Sequence, residues 1–264
     1  NKNGDSKGKD GKGKVMTVSG IVVKTQTFDN NLSLSGSIEA NEQVEIRSEI
    51  SGIVEGIYFK EGSNVAKGQL LFKVNDVELR AQLQQAKTKQ GLASENVRRA
   101  KLLFEKEAIS QEEYDVAKAD FKLAQAQVQL IDAQIAKTSV RAPFSGKIGL
   151  RHISPGTYIT PSLLVAKLVN TNQLKITFSI PEKYVNQVKA NSNLCFNVAE
   201  SSEKYTARIY AIEPEVQTQT RTLQVRALAE NKDGKLLPGT FANVELPLEI
   251  IKGAIIIPSG AIIS

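Results

Sequence analysis

Three residue types that occur once each bound the chemistry open to this chain: Cys195, His152 and Met16. Cys195 lies in NLCFNV, where Leu194, Phe196 and Val198 alternate onto one strand face and the thiol falls on the other. A single cysteine excludes an intramolecular disulfide and reads as a structural thiol. His152 has no cysteine, second histidine or paired carboxylate close to it in sequence, so it lacks the partners of a metal centre. It could titrate near neutral pH, but one such imidazole beside a strand is usually structural. Met16 alone cannot build a soft three-ligand metal site. No nucleophile, base and orienting group stand at catalytic spacing. We expect no catalytic residues, no cofactor and no metal.

The surrounding composition agrees with a scaffold. Charged residues make up 23% and are mixed in sign, aromatics are 6%, and tryptophan is absent, which suits slim modules better than one thick core. No run approaches the roughly 20 consecutive apolar residues of a membrane-spanning helix. The opening NKNGDSKGKDGKGK, residues 1–14, holds five Lys and two Asp, half of the net +6, and no apolar residue. It reads as a flexible leader of the type that follows a lipidated cysteine. Lysine-rich tails also bind anionic lipid or nucleic acid, but no aromatic or Arg-rich readout element accompanies this one, so we expect no nucleic-acid partner.

The chain repeats itself. Residues 46–74 and 140–168 align without a gap: Arg47 with Arg141, Ser51-Gly52 with Ser145-Gly146, Gly62 with Gly156, Leu70 with Leu164, and Lys73 with Lys167. The apolar positions Ile46/Val140, Ile50/Phe144, Val54/Ile148, Val65/Ile159 and Leu71/Val165 keep the same phase. Each copy is rich in β-branched residues between Gly, Pro and Ser, and reads as about four short strands. Neither buries an apolar face alone, so the two are expected to close into one flattened sandwich. That pattern resembles the half-motifs of lipoyl and biotinyl domains, which carry a modified lysine at a tight turn. Here NDVELRAQLQQAK, from Asn75, stands in that place. An acyl or carboxyl carrier is therefore the enzyme-class alternative, and it lacks its lysine.

Between the copies the period changes to that of a helix. Leu79, Leu83, Ala86, Gln90, Ala93, Val97, Ala100 and Phe104 recur in steps of 4 and 3, and so do Tyr114, Ala117, Phe121, Ala124, Val128, Ile131 and Ile135. This is the seam of a two-stranded coiled coil. Asn75 with Glu78 and Ser110 with Glu113 have capping-box spacing. The first helix is expected to end near Glu107, and the short connection forces an antiparallel hairpin about 45 Å long. The seam is rich in Ala. A buried Leu or Ile contributes about 1.5–3 kcal/mol and Ala far less, so the hairpin needs support at its base. Gln82, Gln84, Gln85, Gln111, Gln125, Gln127 and Gln129 suit either a solvated surface or a polar flank for side-by-side packing.

Alternating strands flank this core: 28–40 before it, and several after it, with one short helix opening at Pro181. About six of them suit a small closed antiparallel barrel. Residues 15–23 and 253–264 supply two further strands, expected to pair in an incomplete third module. The expected class is α+β, elongated and multidomain. Its parts are a leader (1–14), a partial membrane-proximal β-module (15–26 and 249–264), a β-barrel (27–41 and 173–248), a lipoyl-like sandwich from two half-motifs (42–74 and 138–172) and an inserted antiparallel α-helical hairpin (75–137).

This nested order resembles the periplasmic adaptor, or membrane fusion, proteins of tripartite efflux pumps in Gram-negative bacteria, from Val15 onward. Thr220-Arg221-Thr222 and Pro238-Gly239 look like the signature of adaptors for resistance-nodulation-division (RND) transporters. Adaptors of ABC-type exporters or type I secretion systems, the runner-up, share the outline and usually lack that Thr-Arg-Thr element. The resemblance implies a non-enzymatic protein in the periplasm, attached to the inner membrane, with an N-terminal lipid anchor as a further possibility. Its partners would be an inner-membrane transporter, an outer-membrane channel, and copies of itself in a ring or tube. In that family the channel contact at the hairpin tip uses an Arg, a Leu four residues on, and a Ser past the turn. RAKLLFEKEAIS matches, which implies Arg99, Leu103 and Ser110. Without the resemblance, Arg99 reads as a surface partner of Glu95, Leu103 as seam packing and Ser110 as a helix cap.

Overall fold

The computed structural model describes Val22, residues 25–198, 203–255 and Ile257. The expected leader, Met16, and the strands 15–23 and 253–264 fall outside these residues, apart from Val22, 253–255 and Ile257. Along the chain run β1 (Thr25–Arg47), β2 (Gly52–Ile57), β3 (Asn64–Val65), β4 (Leu70–Val74), α1 (Val77–Glu105) and α2 (Gln111–Thr138). They are followed by β5 (Ser139–Arg141), β6 (Gly146–Ile148), β7 (Tyr158–Ile159), β8 (Leu164–Pro181), β9 (Asn193–Val198), β10 (Tyr205–Ile212), β11 (Thr222–Glu230) and β12 (Phe241–Ile255). Two compact units result. One is Asn1–Leu32 with Leu246–Ser264, whose described part is the start of β1, the end of β12, Val22 and Ile257. The other is Ser33–Glu245, which holds all that follows.

The two repeats fold against each other by exchanging strands. Each contributes four in equivalent places: the end of β1, β2, β3 and β4 from the first, and β5, β6, β7 and the start of β8 from the second. β2 pairs antiparallel with β7, and β3 with β6. β4 pairs with β5, and the end of β1 with the start of β8. Every one of these pairings crosses from one half to the other. The matched apolar positions Val54 and Ile148, Val65 and Ile159, and Leu71 and Val165 are all buried in one core, with Phe72, Val74, Ala166 and Leu168. Gly62 and Gly156, also matched, both turn with positive φ, 71° and 86°, a conformation that glycine adopts without steric cost.

The repeated arginines have a shared role. Arg141 Nη1 donates to Gly68 O at 2.9 Å, and Arg47 Nη1 donates to Ser162 O. Positions 68 and 162 are themselves equivalent in the repeat. Each half thus reaches a guanidinium across to a loop carbonyl of the other, a pair of clasps related by the same pseudo-symmetry as the strands.

Six strands close the expected barrel. The order is β1-β12-β9-β10-β11-β8, and β8 returns to β1 with Gly36 opposite Phe178. Alternate residues fill the interior, among them Ile38, Ile176, Phe178, Ile180, Phe196, Ile209, Val225 and Val244. On β9 Leu194 and Phe196 point inward and Cys195 is half-buried, as alternation requires. β1 and β8 run through from barrel to sandwich, with a register shift between Ala40 and Glu42. The turn at Pro181 differs from expectation. Pro181 is the N-cap, not the first helical residue, and Glu182–Gln187 is a 3₁₀ helix.

The two signature motifs are turn chemistry. Gly239, at φ 94°, donates its N–H to Ile38 O, and Ile38 N–H donates to Thr240 O, so Pro238-Gly239 lays β12 beside β1. Arg221 sits at φ 50°; its N–H donates to Gln217 O, and Gln217 N–H donates to Thr222 O. The Thr220 and Thr222 hydroxyls lie 2.8 Å apart across this turn. Asn231 is buried and fully engaged, donating to Thr171 O and Leu236 O and accepting from Leu236 N–H.

Candidate functional site: the hairpin tip

The hairpin leaves the sandwich where a carrier domain would turn. β4 ends at Val74 and α1 begins at Val77, and Ser139 returns opposite Lys73. Lys73 is the nearest lysine, and it is not displayed at a turn. Its ammonium lies 2.8 Å from Glu55 and 3.6 Å from Asp76, and the bond to Glu55 raises its pKa. The base of the arm is therefore an ion cluster. Asp76, 3% exposed, accepts from Arg80 Nε at 2.9 Å on Oδ1, and Arg80 Nη2 lies 2.9 Å from Oδ2. The second contact is a close ion pair whose angle falls short of a hydrogen bond.

The expected capping box at Asn75 and Glu78 does not form. Asp76 is the N-cap and its carboxylate is drawn sideways to Arg80, so no side chain caps α1. Asn75 Oδ1 instead accepts from Val77 N–H two residues on, an Asx turn. At the other helix the box does form: Ser110 Oγ accepts from Glu113 N–H, and Glu113 reaches back to Ser110 N–H at 3.0 Å.

Between base and tip, every seam residue anticipated from the spacing is half-buried or buried, but only Ala86, Val128 and Ile131 are fully so. Toward the tip, Phe104 stacks on Tyr114 with centroids 5.4 Å apart, and Lys118 lies 4.7 Å over the Tyr114 ring. Half-buried Ile109 precedes the cap and Tyr114 is four residues past it, the positions of a hydrophobic staple.

The turn itself is a Schellman motif. α1 ends at Glu105, two residues before the expected Glu107, because Glu107 takes a left-handed conformation at φ 57°. Ala108 N–H donates to Leu103 O and Glu107 N–H to Phe104 O.

Arg99 and Leu103 sit one helical turn apart in the last two turns of α1, and Ser110 caps α2 just past the loop. Leu103 is 45% exposed, which removes seam packing as its explanation. Its neighbour Leu102, passed over in the sequence, is equally exposed, so the tip displays two apolar side chains. Arg99 is 67% exposed and makes one long contact, 3.3 Å, to Glu95. Arg98 is the closer partner, with its fork on both Glu95 oxygens at 2.9 and 2.7 Å. Those bonds, Arg98 first and Arg99 after, hold the Glu95 pKa down to about 2. Arg98 thus occupies Glu95 and leaves the Arg99 guanidinium largely unspent. Its donors, an exposed leucine pair and a capping hydroxyl stand together at one end of a stiff arm, an arrangement suited to end-on docking.

Two family models cover most of the chain. The RND MFP barrel-sandwich hybrid domain matches residues 42–170, and the CusB-like beta-barrel domain matches 174–249. The chain belongs to the RND membrane fusion proteins. Among its relatives is an uncharacterized protein of Haemophilus influenzae, 26% identical over 247 residues, which cover 93% of this chain and 65% of that one. The multidrug resistance protein MdtA of Photorhabdus laumondii is 25% identical over 262 residues, covering 90% and 65%. This membrane fusion protein chain therefore spans just under two thirds of the length of these relatives. In fold it is similar to a MacA–MexA chimera containing the Pseudomonas aeruginosa MexA α-hairpin domain. The TM-score is 0.78 at 23% identity, with 89% of this chain and 87% of the chimera covered.

Proposed function

We propose that this membrane fusion protein works as a non-enzymatic periplasmic adaptor. It links an inner-membrane RND transporter to an outer-membrane channel, for export of drugs or other small toxic molecules. It does so as a homo-oligomeric ring or tube attached to the inner membrane. The observation that carries the reading is the conversion of a carrier-type sandwich into a base for a helical arm. The modifiable lysine is gone from the turn, and a hairpin of about 43 Å, 29 residues at 1.5 Å each, leaves from that point. Such an arm spans distance and moves no chemical group.

At the tip, Arg99, Leu103 and Ser110 are assigned to the channel. The guanidinium provides a planar donor fork for a carboxylate or carbonyl, the leucine an apolar knob, and the hydroxyl a cap that fixes the turn while facing the partner. The name of the MdtA relative, a multidrug resistance protein, supports drugs as the cargo class. The test is Arg99→Asp and Leu103→Asp in the host cell, with drug susceptibility measured at matched protein level. Sensitivity approaching that of a deletion is expected. Unchanged resistance would remove the tip from the mechanism.

A further inference from the structure

One seam of the barrel is incomplete. β10 and β11 are in register from Ile212 opposite Val225 to Arg208 opposite Leu228, and there the pairing stops. Both strands nevertheless go on: β10 keeps β9 as far as Tyr205, and β11 keeps β8 as far as Glu230. The next rung would join Thr206 to Glu230. Ile209 N–H donates to Ser192 O, so below the bulge the odd-numbered residues of β10 spend their backbone groups on β9 and Thr206 turns its own toward β11. Asn231 N–H donates to Asn172 O, and by the same alternation Glu230 faces β10. Two strand edges thus look at each other across a gap.

The gap is a cleft of about 760 Å³, with Tyr205, Thr206, Arg208, Leu228 and Glu230 among its lining residues. That volume lies within the range of sites that take drug-sized ligands. A frayed edge does not explain it, because the strands are tied again beyond the gap. Lys235 Nζ, in the loop after β11, lies 3.2 Å from both carboxylate oxygens of Glu203, just before β10. The seam is held at both ends and apart between them.

Its charge is lopsided. Lys204 lies 2.7 Å from Glu245 and Lys232 2.8 Å from Glu230, so the nearby carboxylates are already paired with lysines. Arg208 lines the cleft, and Arg226 lies two residues past Leu228's position on the same outer face of the sheet. Both are exposed, and neither forms an ion pair among the described residues. Like charges on neighbouring strands repel, and an anion beside them removes that cost. Leu228 is half-buried, and the Tyr205 ring stacks on Phe196 with centroids 5.5 Å apart, which gives the cleft an apolar wall as well.

We infer that the cleft between β10 and β11 binds a drug-sized organic anion. Its apolar body lies against Tyr205 and Leu228, its carboxylate or sulfonate on the Arg208 guanidinium, and any amide or hydroxyl it carries on the open rung of Thr206 and Glu230. This goes beyond the adaptor role and does not rest on it, since a bridge between two membranes needs no small-molecule site of its own.

Isothermal titration of the purified full chain with biphenyl-4-carboxylate tests the inference. One molecule should bind per chain. Arg208→Gln should weaken binding about tenfold or more, and the uncharged biphenyl-4-carboxamide should bind the parent chain more weakly to a similar degree. Lys89→Gln, the same charge change on an exposed face of α1, should alter neither. The chain has no tryptophan, so Gln173→Trp, opposite Glu230 at the rim, provides a lone reporter whose emission should change with the calorimetric midpoint. Three results would each overturn the inference: no binding of the carboxylate, equal binding of carboxylate and carboxamide or equal effects of Arg208→Gln and Lys89→Gln, or saturation that leaves the reporter at position 173 unchanged. The tip assignment is judged separately, by the susceptibility of Arg99→Asp and Leu103→Asp cells.

Discussion

Asp76→Asn tests the physics of the joint on which the arm depends. The side chain keeps its shape and loses its charge. In the folded chain Asp76 is buried, accepts from Arg80 at 2.9 Å, lies 3.6 Å from Lys73 and occupies the N-cap of α1. A hydrogen bond to a charged group contributes about 1.5–3 kcal/mol, and a negative charge at a helix N-terminus a further 0.3–1 kcal/mol or so. Against this, Arg80 is largely exposed and can turn to water, and Lys73 keeps Glu55. Few protein atoms surround the carboxylate, even though solvent barely touches it. We therefore take the low end, a loss of about 1–2 kcal/mol near neutral pH.

The pH dependence sharpens that prediction. The Arg80 hydrogen bond lowers the Asp76 pKa despite the opposing effect of burial. A carboxylate with a depressed folded pKa stabilises fully above its unfolded value, about 3.9, and loses that contribution as pH falls through the lower folded value. Urea denaturation followed by helical circular dichroism at a series of pH values should show the parent above Asp76→Asn near pH 7. The gap should narrow below about pH 4 and keep closing as pH falls through the depressed folded pKa. An equal penalty at every pH would mean that shape, not charge, is what Asp76 provides, and would refute the ion-cluster account.

Other perturbations separate the remaining forces. Glu107→Gly should stabilise the hairpin by about 1 kcal/mol in thermal unfolding, because a left-handed C′ position suits glycine and strains glutamate. Ser110→Ala should cost about 1 kcal/mol through the lost capping box; a drop in resistance beyond what Glu107→Gly restores in the double variant would mark a direct role in docking. Gly52→Ala and Gly146→Ala, equivalent in the repeat, should differ. A Cβ at position 146 would stand 2.5 Å from the Val169 carbonyl oxygen, whereas at position 52 it meets only the Val74 side chain, also at 2.5 Å. Backbone cannot rotate aside, so Gly146→Ala should lose about 2–3 kcal/mol and Gly52→Ala clearly less, as read from denaturation midpoints.

Much of this architecture is legible in the sequence because two periodicities are strict. The 29-residue repeat keeps Gly52 with Gly146, Gly62 with Gly156 and its apolar positions in phase, and Gly62 and Gly156 do share a backbone conformation. The seam residues from Leu79 to Ile135 were placed by spacing alone. Less accessible was the exchange of β2 with β7 and β3 with β6, since pairing across halves is decided by closure of the core and leaves no mark on either half alone. Asn75 and Asp76 show how local signals compete. Both can cap, and Arg80, one turn on, diverted the aspartate and left the asparagine to the Asx turn. At the tip, only the family resemblance singles out Arg99, Leu103 and Ser110 as a channel contact, and the exposure of Leu102 and the capture of Glu95 by Arg98 needed coordinates.

A photo-reactive amino acid at position 103, in full-length protein within the native envelope, probes the adaptor role most directly. Irradiation should produce an adduct whose partner, identified by mass spectrometry, is an integral outer-membrane channel. Adducts confined to inner-membrane proteins would contradict the assignment of the hairpin tip.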